Sequence, residues 1–171
     1  MSITTPETNQ DQGPKYYSGA NAAEVERLRR MADIADGFST SLIHDCRYIL
    51  MPPAQDGAVN ILDVGSGDST KLGEMLTLDG FDYRATDSRP EAVAAQIAAG
   101  HNAQCEPVGS PTTAPDSVDI VHSRFVLAWL NGARRSLFED AFYVGKQNFG
   151  IVCIDYDWST LKGPKPLLEL G

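Results

Sequence analysis

The ten residues Ile61-Leu62-Asp63-Val64-Gly65-Ser66-Gly67-Asp68-Ser69-Thr70 constrain this chain more than any other stretch. An apolar run ends in a turn that carries two glycines, and a helical pattern begins at Lys71. A buried strand feeding such a turn and then a helix is the building unit of open α/β sheets, whose ligands bind at the carboxyl ends of the strands. Gly65 and Gly67 let the backbone approach a ligand closely where a Cβ would clash. A dinucleotide fingerprint needs a third glycine where Thr70 stands, and no Gly-Lys-Ser/Thr run follows to make a P-loop. Instead an acid, Asp63, stands two positions before the first glycine. A carboxylate there suits a cationic ammonium and opposes a pyrophosphate, so the turn favours a nucleoside bearing an amino acid over NAD.

The rest of the chain supplies the frame for that turn. Short apolar runs predict strands at Val59–Val64, Phe81–Thr86, Ala103–Val108, Val118–His122 and Gly150–Asp155. Helical patterns lie between them near Lys71–Leu78, Arg89–Ala99 and Ala133–Val144, with Gly80, Gly100 and Gly145 where C-caps belong. Ser88 with Glu91 forms a capping-box pattern, and Pro90 falls in the first turn. Strands joined by single helices imply parallel pairing with right-handed crossovers, hence an open α/β sheet. The second strand ends in Asp87, 22 residues after Gly65, where a carboxylate can accept both hydroxyls of a ribose.

Upstream of the sheet, residues 1–14 read as a disordered tail. Residues 15–58 read as a helical region, with a first helix from Ala22 to about Ala35 begun by Asn21 and Glu24. Asp36-Gly37 is expected to break it. Ser39 is then expected to cap a second helix whose stripe of Leu42, Ile43, Cys46 and Ile49 packs inward. Residues 59–171 form the sheet domain.

Composition excludes several functions. A net charge of -9 argues against a nucleic-acid or anionic-membrane surface, which needs clustered Lys and Arg. No run approaches the roughly 18 apolar residues of a membrane span, and Met1–Gly13 lacks the apolar core of a secretory signal. Cys46, Cys105 and Cys153 have no zinc or redox spacing and read as core thiols of a reducing, cytoplasmic compartment.

With Asp63-x-Gly65-x-Gly67 and Asp87 in place, the chain resembles class I S-adenosylmethionine-dependent methyltransferases of the small-molecule, natural-product type. Tyr16-Tyr17-Ser18-Gly19 followed by Glu24, Arg27 and Leu28 looks like that subgroup's N-terminal signature. Val118-Asp119-Ile120-Val121-His122-Ser123-Arg124-Phe125-Val126-Leu127 resembles its fourth-strand motif, and Ile151–Trp158 its fifth strand. The resemblance implies a Rossmann-like sheet of order 3-2-1-4-5 with helices on both faces and an N-terminal helical lid. It implies that Asp63 and Gly65 hold the methionine portion of S-adenosylmethionine and that Asp87 holds the ribose, with Ser66, Gly67 and Ser88 also binding the cofactor. Ser123 and Arg124 would lie under the sulfonium, and Tyr16 and Gly19 would fold over the cofactor.

Three departures from the family stand out. Ser69 takes the place of a third glycine, and Gly109-Ser110 replaces the Gly-Asp whose acid receives the adenine amine, so Ser110 or backbone is expected to take that role. The chain ends soon after the fifth strand, where the family continues the sheet. Strand Gly150–Asp155 is therefore expected to be an apolar edge: either the chain is a fragment, or a second copy or completing chain pairs with that strand, or the segment Ser159–Gly171 shields it. His122 is the candidate base near the expected site. Asp155 and Asp157 lack the strand-four acid that a magnesium site would also require, so no metal is expected. Methyl transfer to oxygen, nitrogen or carbon of a small metabolite is the leading expectation. A cofactor-binding protein without turnover and a non-methylating enzyme of the same fold stand as alternatives.

Overall fold

The computed structural model describes residues 22–50 and 57–155. Nine principal elements follow one another along the chain: α1 (Ala22–Leu50), β1 (Val59–Val64), α2 (Lys71–Leu78), β2 (Phe81–Asp87), α3 (Pro90–Ala98), β3 (Asn102–Cys105), β4 (Val118–Arg124), α4 (Arg134–Val144) and β5 (Gly145–Ile154). The five strands form one all-parallel sheet of order β3-β2-β1-β4-β5. β1 lies between β2 and β4, and its apolar run is buried on both faces as a central parallel strand requires. Alternation along it divides the core. Val59 and Ile61 meet Leu72 and Leu76 of α2 and Ile43 of α1, while Leu62 and Val64 meet Leu137, Ala141 and Val144 of α4. No described helix is long and apolar enough to cross a membrane.

Helix boundaries follow local chemistry. α2 and α3 end with Gly80 and Gly100 at φ 82° and 87°, left-handed positions that glycine fills without steric cost. Gly145 departs from that expectation. It is extended (φ -70°, ψ 136°) because α4 runs straight into β5, and the Phe149 ring packs where a side chain at 145 would project. Ser88 makes no cap either. Arg89 is the cap residue of α3, and the Asp87 carboxylate receives its amide at 2.9 Å. β3 starts at Asn102 and stops at Cys105, before the non-donating Pro107, with the Glu106 amide bonded to the Asp87 carbonyl at 3.0 Å. β5 extends back to Gly145 through an irregularity: Val118 to Ile120 on β4 oppose Gly145 to Gly150, with Asn148 left-handed at φ 66°.

The largest correction concerns α1, a single helix of 29 residues without a break at Asp36-Gly37. Asp36 is buried and pairs with Arg124, and nothing lies within 4 Å of where a Gly37 side chain would be. A tertiary ion pair thus overrides a local break signal. Ser39 is buried mid-helix and bonds to His122 rather than capping anything. The inward stripe is Ala32, Ala35, Ser39 and Ile43, joined by Cys46 and Leu50. Leu42 and Ile49 are exposed instead. Asn21 and the Tyr16–Gly19 segment lie outside the described residues.

Candidate functional site

The turn after β1 is held by its neighbours. Gly65 and Ser66 donate their amides to the Thr86 carbonyl at 2.8 and 3.0 Å, and Gly67 donates to the Asp87 carboxylate at 2.9 Å. Gly65 and Gly67 are left-handed at φ 70° and 68°. A Cβ at Gly65 would collide with the Val126 side chain, whereas Gly67 has only the Arg89 guanidinium near that point. Backbone conformation therefore calls for glycine at both positions, and packing against Val126 calls for it again at Gly65.

A cleft of about 320 Å³ opens over the carboxyl ends of the strands. Of the sequence-predicted residues, Asp63, Gly65, Ser66, Gly67, Asp87, Ser88 and Arg124 line it. Ser110 is exposed and not among the lining residues, and Ser123 is buried outside the lining with its Oγ unpartnered. Tyr16 and Gly19 lie outside the described residues. His122, the candidate base, is not among the lining residues. It is fully buried, with Nδ1 2.7 Å from Asp63 and Nε2 3.1 Å from Ser39 Oγ, so both ring nitrogens are engaged in the core.

That core network explains Asp63. The parallel register sets Asp63 beside His122 on β4, while the Tyr83 hydroxyl of β2 donates to its other oxygen at 2.7 Å. Burial pushes the carboxyl pKa up, but His122, Arg124 and the Tyr83 hydrogen bond outweigh it and hold it below its ordinary value. Tyr83 moves the other way, raised well above the usual phenol range by burial and by the adjacent carboxylate. Arg124 reaches from the end of β4 to the Asp36 carboxylate and toward the Ala32 carbonyl at 3.4 Å, pinning α1 over the cleft's rim.

Two features escaped the sequence reading. Glu106, just past β3, is buried and lines the cleft. Its Oε2 receives the amides of Thr112 and Thr113 at 2.8 and 3.1 Å and the Thr112 hydroxyl at 2.6 Å, so the glutamate is held with Oε1 left over. The signal was available: a third strand-end acid, after those of the first two strands. The other is Phe125, left-handed at φ 59° where β4 leaves the sheet, which lines the cleft with Val126, Trp129 and Leu130.

The topology is the fold of class I S-adenosylmethionine-dependent methyltransferases. No family model and no curated protein sequence matches the chain. Among solved structures it is similar to the plantazolicin methyltransferase BpumL in complex with SAH, at TM-score 0.68 and 15% identity over 87% of this chain and 62% of that one. A putative S-adenosyl-L-methionine-dependent methyltransferase from Methanococcus maripaludis matches at TM-score 0.60 and 15% identity, covering 77% of this chain and 63% of its own. An Aquifex aeolicus methyltransferase matches at 0.53 and 20%, covering 78% and 79%. The chain spans about three-fifths of the length of the first two.

Proposed function

We propose that the cleft binds S-adenosylmethionine and that the protein transfers its methyl group to a small-molecule acceptor. The observation that carries this reading is the left-handed Gly65–Gly67 turn set between two strand-end acids, Asp63 and Asp87, and lining one cleft with Glu106. The volume lies at the lower end of small-ligand pockets. Crystallisation of a structural neighbour with SAH supports the same choice of ligand.

The chain's own residues fit the group. Glu106 Oε1 is suited to an adenine amine, with Pro107, Val108 and Leu130 as apolar walls. Asp87 would take the ribose hydroxyls. Its carboxylate offers about four acceptor sites, and three hydrogen bonds already reach it, from Gly67 N, Arg89 N and Arg89 Nε. A diol therefore requires the Arg89 side chain to move aside. The turn would receive the amino-acid end, beside the Arg124 guanidinium. Bound S-adenosylmethionine would supply an electrophilic methyl on a sulfonium. With His122 locked in the core, the protein's part is holding the reactants in line and excluding water.

Calorimetry separates the ligands: micromolar binding of S-adenosylmethionine or SAH, roughly -8 kcal/mol, is expected, with none of NAD. Heat with NAD and none with either adenosyl compound would overturn the reading. Methyl release from labelled cofactor in the presence of acceptor pools then distinguishes an enzyme from a binding module.

A further inference from the structure

We infer that Gln96, backed by His101, is the positioning residue that presets the cofactor turn, an inference that deepens the methyltransferase reading and rests on it for its effect on affinity. The inward face of α3 is Ala92, Val93 and Gln96. Gln96 is fully buried, a location where a primary amide is costly unless its polar atoms are bonded. All of its ends are in use. Nε2 donates to the Gly67 carbonyl at 3.1 Å and the Ser69 carbonyl at 3.0 Å, and Oε1 lies 2.8 Å from His101 Nδ1. The amide cannot be turned over, because that would set Oε1 against two carbonyl oxygens. The orientation in turn requires the His101 proton on Nδ1.

His101 is itself seated by design of the helix below it. Its ring meets Tyr83 edge-on at 5.3 Å, and both rings occupy space over Gly73, where a Cβ would come within 2.6 Å of each. A glycine inside α2 costs about 1 kcal/mol relative to alanine, and the room it leaves is filled by these rings. The Gly67 residue is thereby gripped from both sides, its N–H by Asp87 and its carbonyl by Gln96. Gln96 does not line the cleft, so it acts through the turn. A turn fixed before the ligand arrives avoids the affinity lost when only a fraction of molecules are competent.

The test uses the full chain with Gln96→Met, which keeps the volume and loses both donors, and Gln96→Glu, which faces the carbonyls with a carboxylate. Val59→Ala, at the far end of β1, serves as a destabilised control. Calorimetry with SAH is expected to show about 10–100-fold weaker binding for both Gln96 variants and unchanged binding for the control below its melting temperature. The deficit of Gln96→Glu should shrink as pH falls and its carboxyl gains a proton to donate, while Gln96→Met stays flat. Amides of Asp68, Ser69 and Thr70 should exchange faster in Gln96→Met than in the control. Wild-type affinity in both folded variants, or a deficit matched by the control, overturns the inference. A wild-type protein that ignores SAH overturns the cofactor reading instead, and unchanged exchange at Asp68–Thr70 would then overturn the clamp on its own.

Discussion

The residue with most consequence is Asp63, whose charge is buried yet retained. Its folded pKa lies below the ordinary carboxylate value of about 3.9. Its contribution to stability is therefore complete above that value and is lost as pH falls through the depressed folded value. Tyr83 has the opposite sign. Its folded pKa is raised, so its contribution is complete below about pH 10 and is lost as pH rises beyond. Tyr83→Phe should therefore cost about 1.5–3 kcal/mol at neutral pH, the worth of a hydrogen bond to a charged group. It should also flatten the alkaline limb of a denaturation profile and soften the acid limb, because the Tyr83 hydrogen bond is one of the contacts that hold the Asp63 pKa down. Asp87→Ala is expected to lose about 2–4 kcal/mol of SAH affinity by calorimetry, charge-assisted bonds being the strong ones. Because Asp87 is buried and also holds Gly67 and Arg89, the variant should melt lower as well. Asp63 and Asp87 were legible because their spacing from the glycines is local. Glu106 was missed because an acid was sought next to Gly109, whereas the chain supplies it four residues after Asn102, where β3 ends.

Elements differ in how far local sequence decides them. β1 and α2 were legible to the residue, since apolar alternation, a glycine turn and a C-terminal Gly80 all agree. α1 was not, because Asp36 answers to Arg124, 88 residues away, and no window of sequence contains both. Asp36→Ala would strand a buried guanidinium and is expected to cost about 3–5 kcal/mol in denaturant unfolding. The two turn glycines give a sharper comparison. Alanine at 65 or 67 imposes a left-handed non-glycine residue, about 1–2 kcal/mol. Only at 65 does it also strike Val126. Gly65→Ala should therefore destabilise more than Gly67→Ala, and the added Val126→Ala should recover part of the difference. Equal losses at both sites, unaffected by Val126→Ala, would show that the contact carries no weight.

For the whole molecule, parallel pairing followed from the alternation of strands and helices and the strand order from the resemblance, but the outer flank followed from neither. On α1, the side toward α2 carries paired polar groups, Asp33 with Lys71 and His44 with Asp79, while Ile34, Phe38, Leu42 and Ile49 are exposed on another. Phe142 and Tyr143 are exposed on α4, next to β5, which pairs only with β4 among the described residues. Sedimentation should reveal concentration-dependent self-association, relieved by Phe142→Lys and Ile151→Lys together. A strict monomer at high concentration would contradict it. The cleft has one further consequence. Its lining carries four carboxylates, Asp63, Asp68, Asp87 and Glu106, against two guanidiniums, Arg89 and Arg124. A sulfonium entering it is attracted, and the same molecule stripped of its methyl has lost that positive charge. Added salt should therefore weaken S-adenosylmethionine binding more steeply than SAH binding. The proposed transfer would discharge the ligand within the cleft, and the spent cofactor would then be held less strongly by the same wall.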